Sequence, residues 1–485
     1  MLTAAAAVAF LIVHPPVGDI WAAEARRSAV LHGVGLDYWF SWFGGLVPGN
    51  YSVLTPYLFR IVDVSVLGAA ATVLSVLLCW LLLRSTPHRT AAAWFASLGS
   101  AFSLWSGRIP FAVGTVAMLV ALLAVRSNRK RVAAVAGAAT ALISPVSGVF
   151  LILGVCGVVV HDRQRRACAI WASIAAGACL VAVALYFGMP GSEGFPLIQA
   201  ALAAVALLLM LLARPPAQVR TVVLVALAAC PVLAFVPNGM GTNFERFTWI
   251  CLPVAVVATG RAPRRGAFLA AGTALAMGIV GSLYDLYVAA QPMSAPSYSA
   301  GLVAKIDGLP GLANYRVEVI PDGTHVAAYA LLGHASLARG YETQADNALD
   351  AVLMSSKLDA RSYRTWLAEN AVKYVALDRR TLRGNPEERL VRHHRPHYLR
   401  QVWSDSHWVL YAVARPAPLI AAPARVTAAN QASLVVSVPR PGRYSLRVHW
   451  SRFLGVKSAD AALEQDGSGW SVLVADAPGS YQISG

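Results

Sequence analysis

The feature that most constrains this chain is an alternation. Apolar runs occupy residues 1–17, 62–83, 90–107, 109–125, 132–143, 146–160, 167–187, 196–213, 221–237, 248–260 and 266–290. Two kinds of linker separate them. "RSTPHR" (84–89), "RSNRKR" (126–131), "HDRQRR" (161–166), "RPPAQVR" (214–220) and "RAPRR" (261–265) are rich in arginine; "SGRIP", "ISPVS", "GMPGSEGF" and "NGMGTNFERF" are poor in it. Loops on the cytoplasmic side of a membrane carry an excess of Lys and Arg. A chain that crosses a bilayer about eleven times produces this pattern. Only 13% of the 485 residues are charged and 57% are hydrophobic, with mean hydropathy +0.56; soluble domains carry about 25% charged residues. The formal charge of +16 sits in short clusters between apolar runs. That placement answers to membrane topology, so we expect no nucleic-acid partner.

If every run crosses once, the N-terminus is inside, the loop 18–61 is outside, and so is everything after about residue 290. The expected location is the cytoplasmic membrane, with the C-terminal region extracytoplasmic. Residues 1–17 resemble the apolar core of a signal peptide, but no basic segment precedes them and no small-x-small site follows. We read them as a short transmembrane helix and expect native residues upstream of Met1. A full span needs ~20 residues, and several runs are shorter. Residues 132–160 must enter and return, and Ser144-Pro145 divides them. Two short helices are expected there, facing other helices or a cavity, because broken backbone survives in a bilayer only where protein or water covers it. Ala, Gly and Ser fill many runs, which suits close helix packing and is also a compositional habit of arginine-rich, alanine-rich chains. All six cysteines fall within or beside apolar runs without metal-ligand spacing and read as small apolar filler.

Beyond residue 290 the chain turns polar. "YRVEVIP" (315–321) reads as a strand and "HVAAYALL" (325–332) as a helix; "ARSYRTWLAENA" (360–371) reads as a helix capped by Asp359. "VKYVALD" (372–378) reads as a buried strand with "HWVLYAV" (407–413) as its partner. From about 419 short alternating strands follow, punctuated by Pro-Gly and Asp-Gly. The expected fold is therefore an α-helical polytopic membrane bundle (1–290), an extracytoplasmic α/β domain (291–415) and a small β-sandwich-like domain (416–485). No Walker motif, G-x-G-x-x-G after a strand, G-x-S-x-G or H-E-x-x-H is present.

Polar residues of the outside face are the candidates for chemistry. The first loop, "GDIWAAEARRSAVLHG" followed by "YWFSWFGG" and "NYSVLTPYLFR", supplies Asp19, Glu24, Arg27, Trp39, Trp42 and Tyr51; later outside linkers supply Arg108, Glu193, Glu245 and Arg246. A carboxylate at a membrane–water boundary can act as a general base on an acceptor hydroxyl. Arginines on the same face can hold a phosphate. Asp19 and Glu24 are thus candidate catalytic carboxylates, and Arg246, Arg108 and Arg27 candidate phosphate ligands. Trp39, Trp42 and Tyr51 are candidates for an acceptor groove. Plainer readings stand beside these. Asp19 can cap the helix that starts near Ile20. Glu24 and Arg27 can be an i,i+3 surface pair. Arg108 and Arg246 can snorkel at helix ends, and the tryptophans can sit in an interface belt. His393, His394 and His397 read as solvated surface. No metal site is indicated, although the chemistry admits a divalent cation.

The order of parts resembles the GT-C superfamily of polytopic glycosyltransferases, which includes protein O-mannosyltransferases, oligosaccharyltransferases and actinobacterial arabinosyltransferases. The resemblance rests on a first helix running straight into the acidic loop "GDIWAAEARRSAVLHG", then an aromatic stretch, many spans and a C-terminal outside domain. The stretches "YRTWLAENAVKYVALD" and "YLRQVWSDSHWVLYAV" resemble the outside domain of uncharacterised actinobacterial integral membrane proteins with a GT-C-like body. The acidic motif is a single Asp, not the paired Asp-Glu of the mannosyltransferases, and the W-W-D-type signature of oligosaccharyltransferases is missing. What the resemblance implies is sugar transfer from a polyprenyl-phosphate donor to an envelope glycan, glycolipid or protein. Asp19 matches the position of the catalytic acid, with Glu24 second. A transporter or lipid flippase, with Asp285 as its nearest intramembrane charge, and a non-catalytic envelope-assembly protein are the alternatives.

Overall fold

The computed structural model describes residues 1–189, 191–261, 264–380 and 384–485. Pro190 of the linker "GMPGSEGF", and residues 262–263 of the basic cluster 261–265, lie outside the described residues. The N-terminal half is helical and the C-terminal part carries the β-sheets. Two units divide the chain: Met1–Ala23 with Asn50–Ala290, and Glu24–Gly49 with Gln291–Gly485. The boundary near residue 290 stands where the composition changes. The first domain, expected as 1–290, cedes residues 24–49 to the second unit. The reason is apolar. Trp39, Trp42 and Phe43 share a buried core with Val317, Leu337 and Trp408.

The first unit contains α1 (Leu2–Val13), the start of α2 (Gly18–Leu31), α3 (Thr55–Ile61), α4 (Val64–Leu82), α5 (Arg89–Trp105), α6 (Ile109–Arg126), α7 (Lys130–Ile143), α8 (Pro145–His161), α9 (Arg166–Phe187), α10 (Leu197–Leu212), α11 (Ala217–Phe235), α12 (Leu252–Thr259) and α13 (Arg264–Ala289). Among the described residues, five of these are long and apolar enough to cross a membrane: α4, α6, α9, α11 and residues Phe268–Ala289 of α13. A sixth is added if α1 and α2, interrupted at Pro15-Pro16, count as one broken span. About eleven spans, some short or broken, are expected from the sequence. The other apolar runs form shorter helices, such as the 14 residues of α7 and 16 of α10, because linkers rich in Gly, Pro and Arg cut them short.

The break expected at Ser144-Pro145 separates α7 from α8. Proline carries no N–H, so carbonyls at the end of α7 need other donors. Residues 52–55 supply them. Val53 and Leu54 N–H donate to Leu142 O at 3.0 and 3.1 Å. The hydroxyls of Ser52 and Thr55 donate to Ile143 O at 2.7 and 2.8 Å. Ser144 in turn caps α8, accepting from Ser147 N–H at 3.3 Å. Protein therefore covers the break, as a low-dielectric environment requires. The α7–α9 seam is built from small residues: Ala133, Ala136 and Ala141 against Ala169, Ala172 and Ala176, all buried. A Cβ on Gly137 would lie 2.5 Å from Ala172 O. The alanine-rich composition thus serves close helix approach here.

Hydrogen bonds stitch the basic linkers together. Arg126 reaches Ser85 Oγ at 2.7 Å, Arg165 reaches Arg126 O at 3.0 Å, and His161 meets Thr221 Oγ1 at 2.8 Å. His88 N–H donates to Ala258 O, and Arg261 N–H to Ala213 O. Two of the arginine-poor linkers are joined in the same way, Glu193 N–H donating to Asn238 O.

In the second unit, α14 (Ala300–Asp307), β1 (Arg316–Val319), α15 (Val326–Ala330), α16 (Thr343–Leu349), α17 (Ala351–Met354), α18 (Ala360–Glu369), β2 (Val372–Asp378), α19 (Pro386–Arg389), β3 (Leu399–Ser404) and β4 (Trp408–Val413) form an α/β part with sheet order β1-β2-β4-β3. β1 and β2 run parallel, and β4 pairs antiparallel with β2, Tyr374 opposite Ala412. The expected cap of α18 is a full capping box. Asp359 accepts from Ser362 N–H at 2.8 Å, and Asp359 N–H donates to Ser362 Oγ at 3.1 Å. Beneath the sheet, Arg339 is almost fully buried among carboxylates. Its guanidinium lies 2.9 Å from Asp346 and Glu387 and 3.5 Å from Glu318. Tyr363 donates to Glu387 at 2.8 Å and Trp366 Nε1 to Asp350 at 2.9 Å.

β5 (Arg425–Ala429), β6 (Ser433–Val438), β7 (Gly442–His449), β8 (Gly455–Val456), β9 (Ala461–Gln465), β10 (Trp470–Ala475) and β11 (Gly479–Ser484) form a three-stranded sheet, β7-β10-β9, and a four-stranded sheet, β5-β6-β11-β8. Val436, Val438, Leu446, Val448, Leu473 and Ile483 fill a common core. Strict alternation along these strands produces that inward face.

Candidate functional site

The arginine-poor end of the first unit gathers five of its six acidic residues, Asp162 being the exception. Asp19 lies in the first turn of α2, where a carboxylate also favours the helix. The α5–α6 turn comes directly against it. Gly107 has φ +75°, and a Cβ there would lie 2.6 Å from Ile20 N. Only glycine permits that backbone and that approach. Arg108 follows, so its guanidinium is set beside α2. A hydrogen bond of 2.9 Å from Ser106 Oγ to Ser282 Oγ ties the same turn to α13.

Asp19 Oδ2 lies 3.7 Å from Arg108 Nε and 3.6 Å from Arg246 Nη2. Arg108 Nη2 also lies 3.6 Å from Asp285 Oδ2, on the last turns of α13. Two cations therefore flank one carboxylate at separations longer than a hydrogen bond. Asp19 and Asp285 keep 38% and 33% of their side chains exposed, against 21% for Arg108 and 15% for Arg246, so the carboxylates are the more reachable members of the group. The helical segment that leads into α12 carries Arg246, whose guanidinium stands over the Phe111 ring at 5.4 Å. Burial and the like charge of Arg108 push Arg246 down to about 10, and it stays protonated at neutral pH.

Two further carboxylates border this group. Glu193 N–H donates to Asn238 O at 2.8 Å, and the Thr242 hydroxyl donates to Glu193 Oε1 at 3.3 Å. Burial raises the Glu193 carboxyl against those hydrogen bonds. Burial pushes Glu245 up to about 7 against the pull of Arg108 and Arg246. Glu245 Oε1 and Arg108 Nε are buried with no hydrogen-bond partner among the described residues. Among the described residues no group of three His, Cys, Asp or Glu side chains is placed to hold a metal ion.

The candidates read from sequence divide accordingly. Asp19, Arg108 and Arg246 come together. Tyr51, about half exposed, acts electrostatically on Arg246. Glu24 and Arg27 belong to the second unit and form an i,i+3 pair at 3.9 Å. Trp39 and Trp42 also belong there. They stack with ring centroids 4.9 Å apart, each 3% exposed. Their faces are core, so a groove built on them is not what the fold provides. Asp285, from sequence the nearest case of an intramembrane charge and close to the outer interface, lies 3.6 Å from Arg108. Glu193 and Glu245 stood among the outside-face polar residues, and nothing in their own neighbourhood singled them out. A scan against protein-family models returns no match, and a search of curated proteins returns none either.

Proposed function

We propose that this chain is a multi-pass membrane glycosyltransferase of GT-C type in the cytoplasmic membrane. It takes its sugar from a polyprenyl-phosphate carrier on the extracytoplasmic face and modifies an envelope glycan, glycolipid or protein. The observation that carries the reading is Asp19 held between Arg108 and Arg246. Five apolar helices support a membrane location. The basic linkers share one end of the helices, which the positive-inside rule assigns to the cytoplasm. Asp19 then faces outward, and the second unit, which follows Ala289, is extracytoplasmic.

The chemistry follows from the charges. Asp19 accepts the proton of an acceptor hydroxyl as that oxygen attacks the anomeric carbon. The bond from that carbon to the phosphate oxygen breaks, and polyprenyl phosphate departs with the electron pair. Arg108 and Arg246 take up the charge growing on the phosphate, which competes with Asp19 for them. The long separations leave room for that exchange. The reading uses no metal and no cofactor. Asp285 holds Arg108 from the other side and acts as a positioning residue.

The test is sugar transfer in membranes containing Asp19→Asn, with Arg246→Gln alongside. Loss of a general base costs about 10²–10⁴ in rate. Transfer at the wild-type rate by a folded Asp19→Asn variant removes Asp19 from catalysis. If the purified chain instead moves labelled lipid across vesicles without transferring sugar, the flippase reading takes its place.

A further inference from the structure

The basic end of the first unit contains a cavity of about 640 Å³, lined by His88, Arg89, Thr90, Trp94, Phe95 and Phe268 among others. Its walls differ in chemistry. On one side stand His88 and Arg89, at the start of α5. The Arg89 guanidinium is fixed in place, stacked 3.5 Å from the Trp80 ring centroid with Nε donating to Trp80 O at 3.1 Å. On the other side are three aromatic rings. Phe95 and Phe268 meet with centroids 6.0 Å apart, and Trp94 and Phe268 are exposed, 55% and 42%. Among the described residues no carboxylate lines the cavity. The basic linkers at this end hold a single acidic residue, Asp162, which Arg165 already pairs at 2.7 Å.

We infer that this cavity binds the headgroup of an anionic phospholipid, its phosphate against Arg89 and His88 and its first acyl carbons along Trp94 and Phe268. A free anion gains nothing from an exposed aromatic wall. A zwitterionic lipid gains little from a surface with so little negative charge to balance its arginines. An anionic amphiphile uses both, and basic pockets between membrane helices on the cytoplasmic side take such headgroups. Tryptophan at that depth suits the boundary between headgroup and chain. The inference rests on the apolar spans and the basic end, and is independent of sugar transfer.

The test is quenching of Trp94 fluorescence by brominated lipid, in the full chain reconstituted in phosphatidylcholine vesicles. The Trp94 contribution is the difference between wild type and Trp94→Phe. Brominated phosphatidylglycerol is expected to quench it at about fivefold lower mole fraction than brominated phosphatidylcholine, one basic contact at the surface accounting for that factor. Arg89→Gln should erase the preference and Arg89→Lys should keep it. Inorganic phosphate at matched ionic strength should leave it unchanged. Equal quenching by the two lipids overturns the inference, as does a preference that survives Arg89→Gln together with His88→Gln. Displacement by inorganic phosphate would make the occupant a free anion and not a lipid.

Discussion

Replacing Arg339 by methionine tests whether the buried carboxylates around it depend on that cation. The side chain is 3% exposed, and Glu318, Glu387 and Asp346 crowd it. Each 2.9 Å contact is worth about 6 kcal/mol of Coulomb attraction at an effective dielectric of ~20. Desolvation of both partners consumes much of that. What remains is asymmetric. Removing one partner of a buried pair costs about 3–5 kcal/mol, because the other charge stays behind unpaired. Methionine keeps the length and loses the charge. Glu318 behaves differently. Burial and the neighbouring Glu387 raise its carboxyl well above the usual range, and neither of its oxygens has a hydrogen-bond partner among the described residues. Burial favours its neutral form, which Gln resembles in shape and charge, so Glu318→Gln should cost less than about 1 kcal/mol. The assay is hydrogen exchange of peptides covering β2, in the full chain. Arg339→Met should speed exchange by about two to four decades at 1.36 kcal/mol per decade, and Glu318→Gln by less than about one. If β2 protection survives Arg339→Met, or if Glu318→Gln is as damaging, the charges do not balance as argued.

Other outcomes follow from the same geometry. Burial pushes Asp350 up to about 7, with Asp346 and Glu387 adding to it and Arg339 opposing. An unfolded Asp titrates near ~3.9, so Asp350 contributes stability below about pH 4 that is lost as pH rises through about 7; Asp350→Asn should flatten that part of the unfolding profile, and an unchanged slope refutes the assignment. Gly137→Ala places a methyl 2.5 Å from Ala172 O, whereas Gly154 has open space around it; thermal unfolding should show about 1–3 kcal/mol lost for the first and almost none for Gly154→Ala. A reporter active only outside the cytoplasm, fused after Gly485, should be active; a cytoplasmic signal would reverse the orientation of Asp19.

How much of this was legible depends on how local the cause is. The break at Ser144-Pro145 could be read because proline lacks an N–H wherever it stands. The donors that mend it, residues 52–55, lie almost a hundred positions away, and only the tertiary fold reveals them. Asp359 was readable as a cap because capping is settled within three residues. Trp39 and Trp42 were not, since an aromatic pair near a helix end looks the same in a core as in an interface belt; the difference lies in Val317 and Leu337, far along the chain. Hydropathy measures composition over a window, while a full-length span also needs unbroken helix, so the apolar runs form helices of unequal length. Asp19, Arg108, Glu193, Glu245, Arg246 and Asp285 have no common spacing, yet they converge for one reason. Each lies near the end of a helix where the chain is about to turn, and successive antiparallel helices return to that same end after every second crossing. The alternation that sorts basic linkers to one end therefore sorts the remaining charged residues to the other. It places Asp285 beside Arg108 without any motif to announce it. A carboxylate within an apolar run is thus best judged by which end its helix brings it to, and for Asp285 that end already holds the two arginines that flank Asp19.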